Sequence, residues 1–158
     1  MSIFKSVLLG GMLLLSSSVA LAQVSLSQNS SGSNVFSLVG KKDKACVYYD
    51  AQDFEVVKTT AGLFAKEVSG QILGVATTKE APQKNCIIVG TLGHNEWIDQ
   101  MIAKKKLDVE PLKDRWESYL VQLVRNPLPG VDKALVIVGS DRRGAAYGLL
   151  SVSRTIGV

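Results

Sequence analysis

The last quarter of the chain constrains the fold more than any other stretch. Residues 134–138, Ala-Leu-Val-Ile-Val, form an unbroken apolar run that is rich in β-branched residues and too short for a helix. Such a run is typical of a strand buried on both faces, as in a parallel sheet covered by helices. Gly139 and Ser140 follow it, and Ser140 or Asp141 can cap the next helix. The stretch predicts a buried strand, a tight turn and a closely packed helix.

The predicted final helix carries small and aliphatic residues at spacings of three and four, namely Ala145, Ala146, Leu149, Leu150 and Ser153. Gly139, Gly144 and Gly148 allow its backbone to approach whatever lies against it. Between Gly144 and Val158 the only charged residue is Arg154. A helix with so few charges on its outer side predicts an interface, so we expect protein that follows to cover Tyr147, Leu150 and Ile156.

Two further helices are predicted upstream. One begins at Asp53, a good N-cap, and ends near Gly70, with an apolar stripe of Val57, Ala61, Phe64 and Val68. The other spans residues 95–104 and places Trp97, Ile98, Met101 and Ile102 on one face. Both stripes have the width of a helix face that packs on a sheet.

The remaining apolar runs predict strands at residues 45–49, 72–76, 86–90 and 117–124, and residues 35–39 could add a short first strand. The turn at residues 126–130, Asn-Pro-Leu-Pro-Gly, indicates antiparallel pairing of 117–124 with 134–138. Strands that alternate with helices are typical of a parallel sheet. The sequence therefore predicts an α/β fold with a mixed, largely parallel sheet and helices on its faces.

The N-terminal residues are typical of an export signal. Lys5, an apolar run from Val7 to Leu15 and the sequence Ala20-Leu21-Ala22 predict a signal peptide at residues 1–22. Residues 23–34 read as a flexible leader, and residues 35–158 as one α/β domain. The mature protein is expected in the periplasm or outside the cell, with no membrane span. A formal net charge of +4 favours neither nucleic acid nor an anionic membrane as partner.

The two cysteines, Cys46 and Cys86, each open an apolar strand-like run. They could lie at the same end of neighbouring strands and form a disulfide, since the compartments that receive exported proteins permit disulfides. Alternatively they are simply buried, as cysteine often is. Two cysteines and one histidine do not form a zinc site of the usual spacing, and no metal or other cofactor is predicted.

Known catalytic patterns fail on this chain. Gly139 and Gly144 have the separation of the outer glycines of a phosphate loop, but Ala145-Ala146 replace the Lys-Ser/Thr pair that follows in such loops. The dinucleotide fingerprint fails because Asp141 takes the place of its second glycine. Nothing places a cysteine beside His94, the only histidine. The acidic residues Asp50, Asp53, Glu96 and Glu117 fit strand ends, caps and exposed faces as well as a catalytic pair, so no catalytic residue is nominated.

Asp141, Arg142 and Arg143 are the remaining candidates, because open α/β sheets bind ligands beyond the carboxyl ends of their strands. An arginine there could clamp a carboxylate or a neighbouring domain. The alternative is a helix cap followed by two solvated arginines.

A family resemblance covers most of the mature chain. Trp116-Glu117-Ser118-Tyr119, the Asn-Pro-Leu-Pro-Gly turn and the segment Gly139-Ser140-Asp141-Arg142-Arg143-Gly144 together resemble the N-terminal region of family 115 glycoside hydrolases. Those enzymes are secreted α-glucuronidases that remove (4-O-methyl)glucuronic acid from glucuronoxylan. The family continues into a (β/α)8 barrel that carries the catalytic residues, and that barrel is absent from these 158 residues.

The resemblance implies that this chain is the N-terminal, non-catalytic domain of a secreted glycoside hydrolase, inactive alone. Its partners would be the following barrel and, through the longer enzyme, glucuronoxylan. Two other hypotheses remain open at this point: a free-standing secreted carbohydrate-binding or adaptor module, and a small stand-alone enzyme, which the failed catalytic patterns disfavour.

Overall fold

A computed structural model describes residues 36–38, 44–67 and 73–156. The elements in chain order are β1 (Cys46–Tyr49), α1 (Glu55–Glu67), β2 (Gly74–Thr77), β3 (Asn85–Thr91), α2 (Glu96–Ala103), a 3-10 turn (Glu110–Leu112), β4 (Tyr119–Arg125), β5 (Lys133–Gly139) and α3 (Arg142–Thr155). The predicted signal peptide, the leader and the helix end at Gly70 lie outside the described residues.

The strands form one five-stranded sheet in the order β2-β1-β3-β5-β4. Strands β2, β1, β3 and β5 run parallel, and β4 pairs antiparallel with β5. The predicted mixed, largely parallel α/β fold is therefore confirmed. Strand β5, which contains the apolar run of residues 134–138, is flanked by β3 and β4 as expected for a buried strand.

Helices cover both faces of the sheet. One face packs against α1 and α3, through Val57, Ala61 and Phe64 of α1 and Ala145 and Leu149 of α3. The other face packs against α2 and the segment after it, through residues that include Trp97, Ile98 and Met101. Apolar side chains thus alternate along each strand between two cores, which is why the central strands read as continuous apolar runs.

A short connection without a helix crosses the second face between β2 and β3. The hydroxyl of Tyr48, a buried residue of β1, donates to Ala81 O (3.1 Å) and accepts from Gln83 N–H (3.1 Å). The Tyr48 ring packs on Trp97 at a centroid distance of 5.1 Å. One side chain therefore satisfies two backbone groups of a connection that has no hydrogen-bond ladder of its own.

Three details differ from the sequence prediction. Residues 36–38, the described part of the proposed first strand, are not strand. Asp53 is not the N-cap of α1, because its carboxylate binds Phe54 N–H and Thr91 N–H instead of the helix interior. Ile156 is buried in the core with α1 and does not face outward, whereas Tyr147 and Leu150 are exposed as expected.

Candidate functional site at the carboxyl edge of the sheet

The polar residues singled out in the sequence meet at the carboxyl edge of the parallel strands. Asp50 directly follows β1, Thr91 ends β3, and Ser140 and Asp141 follow β5. A backbone hydrogen bond from Leu92 N–H to Gly139 O (2.9 Å) joins the last two strand ends. This is the edge at which open α/β sheets place their ligands.

Asp141 is the N-cap of α3. Its Oδ1 accepts from the backbone N–H groups of Arg143 (2.9 Å) and Gly144 (2.8 Å), and its Oδ2 accepts from Glu117 N–H (2.7 Å). The Glu117 N–H, followed by that of Gly144, holds the pKa of Asp141 below its ordinary value. The helix N-terminus where a phosphate would bind is thus filled by the chain's own carboxylate.

The two arginines have different neighbours. Arg143 Nη1 lies 2.7 Å from Glu117 Oε1, and both side chains are substantially exposed. The hydrogen bond with Glu117 raises the pKa of Arg143. Arg142 is exposed, with its guanidinium carbon 5.8 Å from the centre of the Phe54 ring. The cap interpretation of Asp141 is confirmed, while contact of either arginine with another domain stays a prediction.

Asp50 and Asp53 are also occupied by backbone donors. Asp50 accepts from Gln52 N–H (2.9 Å) and from Glu96 N–H (3.0 Å) at the start of α2. Burial alone would raise the pKa of Asp50, but these donors outweigh burial and hold the pKa below its usual value. Asp53 bridges Phe54 N–H (2.8 Å) and Thr91 N–H (2.7 Å), and for it burial prevails and raises the pKa.

The hydroxyl of Thr91 lies at the centre of this edge. Thr91 is 2% exposed, and its Oγ1 makes no hydrogen bond of ordinary geometry among the described residues. It nevertheless lies near enough to the Asp53 carboxylate to favour the ionised form. Through its backbone N–H as well, Thr91 belongs to the Asp53 tie between the start of α1 and the end of β3.

His94 lies in the turn between β3 and α2. Its ring is exposed and contacts Phe54 at a centroid distance of 4.6 Å, tilted by 51°. Beside it is an open cleft of about 470 Å³ that Asp50, Asn95 and Glu96 help to line. Asn95 caps α2 through Trp97 N–H and Ile98 N–H, and Glu96 accepts from Gln100 Nε2 (3.1 Å). Asp50, Asn95 and Glu96 are therefore engaged at the start of α2.

The cysteines lie at the opposite end of the sheet from His94. Cys46 and Cys86 are direct register partners on β1 and β3, so the prediction that they start neighbouring strands is confirmed. Both are buried free thiols, and Cys86 Sγ–H donates to Gln83 O (2.6 Å). Burial raises the pKa of Cys86 to about 12 and raises that of Cys46 as well, so neither is an activated nucleophile. The predicted disulfide is not formed in this structure, and its formation after export stays a prediction.

Each candidate carboxylate at the carboxyl edge therefore has a structural partner. Asp50, Asp53 and Asp141 cap or tie helix starts, and Glu117 pairs with Arg143. Within residues 36–38, 44–67 and 73–156, no group of three or more His, Cys, Asp or Glu side chains could hold a metal ion. The arrangement can stabilise three helix starts, but it offers no free acid and base facing a common cleft.

A second region lies at the corner where β4 meets α3. Trp116 is 88% exposed, and Tyr119 and Tyr147 are 40% and 44% exposed. The chain offered one sign of it, a tryptophan placed between charged residues in Asp114-Arg115-Trp116-Glu117. In the sequence, this tryptophan stands out only as part of the family resemblance.

Solved structures are similar to this domain in fold. For one of them, the two sequences also share a low identity. The domain is similar to a structure titled "A novel family GH115 4-O-Methyl-alpha-glucuronidase, BtGH115A, with specificity for decorated arabinogalactans". The TM-score is 0.56 and the identity 25%, over 72% of this chain and 13% of that chain. The similarity relates this chain to glycoside hydrolases.

A second similar structure, titled "Structure of CpGH84D", has a TM-score of 0.51 and 14% identity, over 71% of this chain and 17% of that chain. At that identity the likeness concerns the fold alone. This chain thus spans less than a fifth of either neighbour. A scan against models of protein families finds no match, and neither does a search of curated proteins. Among the described residues, no helix is both long and apolar enough to cross a membrane.

Proposed function

We propose that this chain is the N-terminal, non-catalytic domain of an exported glycoside hydrolase of the α-glucuronidase type. The observation that carries the proposal is the 25% identity to the GH115 structure across 72% of this chain, at only 13% of that chain's length. The sequence motifs at residues 116–119, 126–130 and 139–144 support the same family. In this proposal the catalytic acid and base belong to a barrel encoded after residue 158, and the domain supports that barrel.

Two features of the site favour a non-catalytic role for this chain over catalysis by the chain itself. The carboxylates at the carboxyl edge are used as caps and ties, as described above. The two thiols are buried and their pKa values are raised, which removes them as nucleophiles. The substrate that the proposal assigns to the longer enzyme is the (4-O-methyl)glucuronic acid side group of glucuronoxylan.

The test is activity of the purified full chain on glucuronoxylan and on aldouronic acids. We expect no release of glucuronic acid, and we expect the coding DNA beyond residue 158 to continue into a barrel. Activity that survives purification and is lost in Glu117→Gln, but not in the control Asp99→Asn, would contradict the proposal. A stop codon directly after residue 158 would favour a free-standing carbohydrate-binding or adaptor module.

Export is a separate part of the proposal. It rests on the positive start, the apolar core and the Ala20-Leu21-Ala22 site of residues 1–22. We expect protein recovered from the periplasm or medium to begin at Gln23, which its intact mass reports. Exported protein that retains Met1 would contradict cleavage there.

A further inference from the structure

The corner between β4 and α3 carries three exposed aromatic residues and one exposed ion pair. We define the aromatic platform as Trp116, Tyr119 and Tyr147 together with Glu117 and Arg143. The Tyr119 side chain lies so close to Gly148 that a Cβ added there would be 3.3 Å from Tyr119 Cβ. Tyr147 precedes Gly148 on α3, near enough to Arg143 to influence the pKa of its guanidinium.

The loop that presents Trp116 is held in place by specific hydrogen bonds. Glu117 N–H donates to Asp141 Oδ2 (2.7 Å), Ser118 N–H donates to Ser140 Oγ (3.1 Å), and Ser140 N–H donates to Ser118 O (2.8 Å). Ser118 Oγ–H also donates to the carbonyl of Trp116 itself (3.1 Å). These bonds fix the backbone that carries the indole, so ordering of the loop costs little conformational entropy when a ligand covers the exposed ring.

The size of the platform favours a small ligand over a folded partner. Aromatic side chains bury roughly 150–250 Å² each, so three partly exposed rings offer on the order of 300–400 Å². A stable protein interface needs about 800 Å² from each partner. The three rings by themselves therefore supply about half of what a second copy or another domain would require.

The chemistry of the platform indicates the kind of ligand. Aromatic faces are apolar and match the C–H face of a pyranose ring, while the tyrosine hydroxyls, Glu117 and Arg143 supply hydrogen-bond donors and acceptors for sugar hydroxyls. The charges of Glu117 and Arg143 offset each other across 2.7 Å. A surface with no net charge favours a neutral sugar over an acidic one.

We propose that the aromatic platform binds a neutral pyranose oligosaccharide, with one sugar ring stacked on Trp116. The site would hold a polysaccharide main chain close to an attached catalytic domain. The role beside a barrel rests on the proposed function, but sugar binding itself does not.

The protein contains a built-in control for the experiment. Its two tryptophans are Trp116 on the platform and Trp97, which is buried against Tyr48. Nuclear magnetic resonance of the full chain resolves the two indole N–H signals while xylohexaose or galactohexaose is added to millimolar concentrations. We expect a saturable shift of the Trp116 signal with either probe, a constant Trp97 signal, and no loss of affinity when salt is raised.

Substitutions define the site. Binding to the Trp116 variants, which lack the reporting indole, is followed through the saturation-transfer signals of the oligosaccharide itself. Trp116→Ala should weaken binding about tenfold or more, as loss of a central aromatic contact does. Trp116→Phe should retain part of the affinity, and the matched control Leu63→Ala, an exposed apolar residue of α1, should bind as the unchanged protein does. Tyr147→Ala should weaken binding severalfold.

Three outcomes would overturn the proposal. One is no shift of Trp116 with either oligosaccharide. Another is equal shifts of both indoles, which would indicate a non-specific effect. The third is a Trp116 signal that changes with protein concentration when no sugar is present, which would make the platform a contact between copies. None of these outcomes depends on a catalytic barrel, so they are distinct from failure of the proposed function.

Discussion

The carboxyl edge and the aromatic platform are neighbours in the fold but use their side chains in opposite ways. At the carboxyl edge, Asp50, Asp53 and Asp141 direct their oxygens inward to backbone N–H groups of the same chain. On the platform, Trp116 is 88% exposed and Tyr119 and Tyr147 are 40% and 44% exposed, while the backbone of the loop that carries Trp116 is held by its own hydrogen bonds. In this domain the location that α/β folds usually give to ligands stabilises helices, and the surface suited to a ligand lies beside it.

The largest expected effect concerns Gly144, which packs against the backbone of Ser118 in the loop that carries Trp116. An alanine Cβ at Gly144 would collide with the backbone carbonyl of Ser118, which cannot easily move because Ser140 N–H is bound to it. We expect Gly144→Ala to lower the free energy of unfolding by about 1–3 kcal/mol, measured by urea denaturation.

The matched control for this change is Gly62→Ala. Gly62 lies inside α1 with no atom within 4 Å of an added Cβ, so alanine should stabilise the fold by roughly 0.4–1 kcal/mol. Equal effects at the two positions would show that contact with Ser118 does not matter.

The second prediction concerns Asp141, which belongs to both regions. One oxygen caps α3 and the other holds Glu117 N–H. Asp141→Ala should therefore cost about 1–2 kcal/mol, as N-cap losses do, and should speed hydrogen exchange at the amides of Glu117 and Gly144. Asp99→Ala removes an exposed first-turn carboxylate of α2 and should cost no more than about 0.5 kcal/mol. Unchanged hydrogen exchange at the Glu117 amide in Asp141→Ala would contradict the prediction, because it would show that Asp141 does not hold the loop that carries Trp116.

The third prediction concerns the pH dependence of the stability that Asp141 and Asp53 contribute. The pKa of Asp141 is lowered on folding, so its stabilisation is present above its ordinary pKa of 3.8 and is lost as pH falls through and below that value. The pKa of Asp53 is raised, so its contribution is greatest below 3.8 and declines as pH rises above 3.8 through the raised pKa of the folded state. In urea denaturation from about pH 6 to pH 2, Asp141→Asn should flatten the acid loss and Asp53→Asn should steepen it. The same change of slope in both variants would contradict this difference.

The smallest expected effect is on the platform itself. Trp116 is 88% exposed, so Trp116→Ala should change the free energy of unfolding by no more than about 0.5 kcal/mol. Trp97→Phe should destabilise clearly, because Trp97 is buried against Tyr48. A loss for Trp116→Ala well above the expected range would indicate that the ring packs on the domain and is not held out for a ligand.

The fold could be predicted because each central strand is apolar on both sides. Such a strand is a continuous apolar run, which can be recognised from the local sequence alone. The cap at Asp141 could be predicted for the same reason, since a cap acts within three residues. Asp53 could not, because its second oxygen binds Thr91, 38 residues away, and a cap motif carries no information about that partner. The register match of Cys46 with Cys86 could be expected from their place in each run, although the sequence left open whether they bond.

The exposure of Trp116 was harder to predict. Tryptophan is usually well buried, and the strand was expected to begin at residue 117. Strand β4 begins instead at Tyr119, because Glu117 adopts a φ of 52° and Ser118 is tied to the turn after β5. This backbone turn places Trp116 outside the sheet, and it depends on Asp141 and Ser140, which are distant in sequence.

Residues with a positive φ lie just beyond each end of strand β4 and limit how another strand could pair with it. Strand β4 is an edge strand, and such strands can template pairing with other chains. Glu117 before it and Asn126 after it have φ values of 52° and 47°, which extended backbone does not adopt. An incoming strand therefore meets straight backbone only along Tyr119–Arg125, and Pro127 directly beyond offers no N–H. Pairing of another strand at this edge is therefore confined to the seven residues of β4.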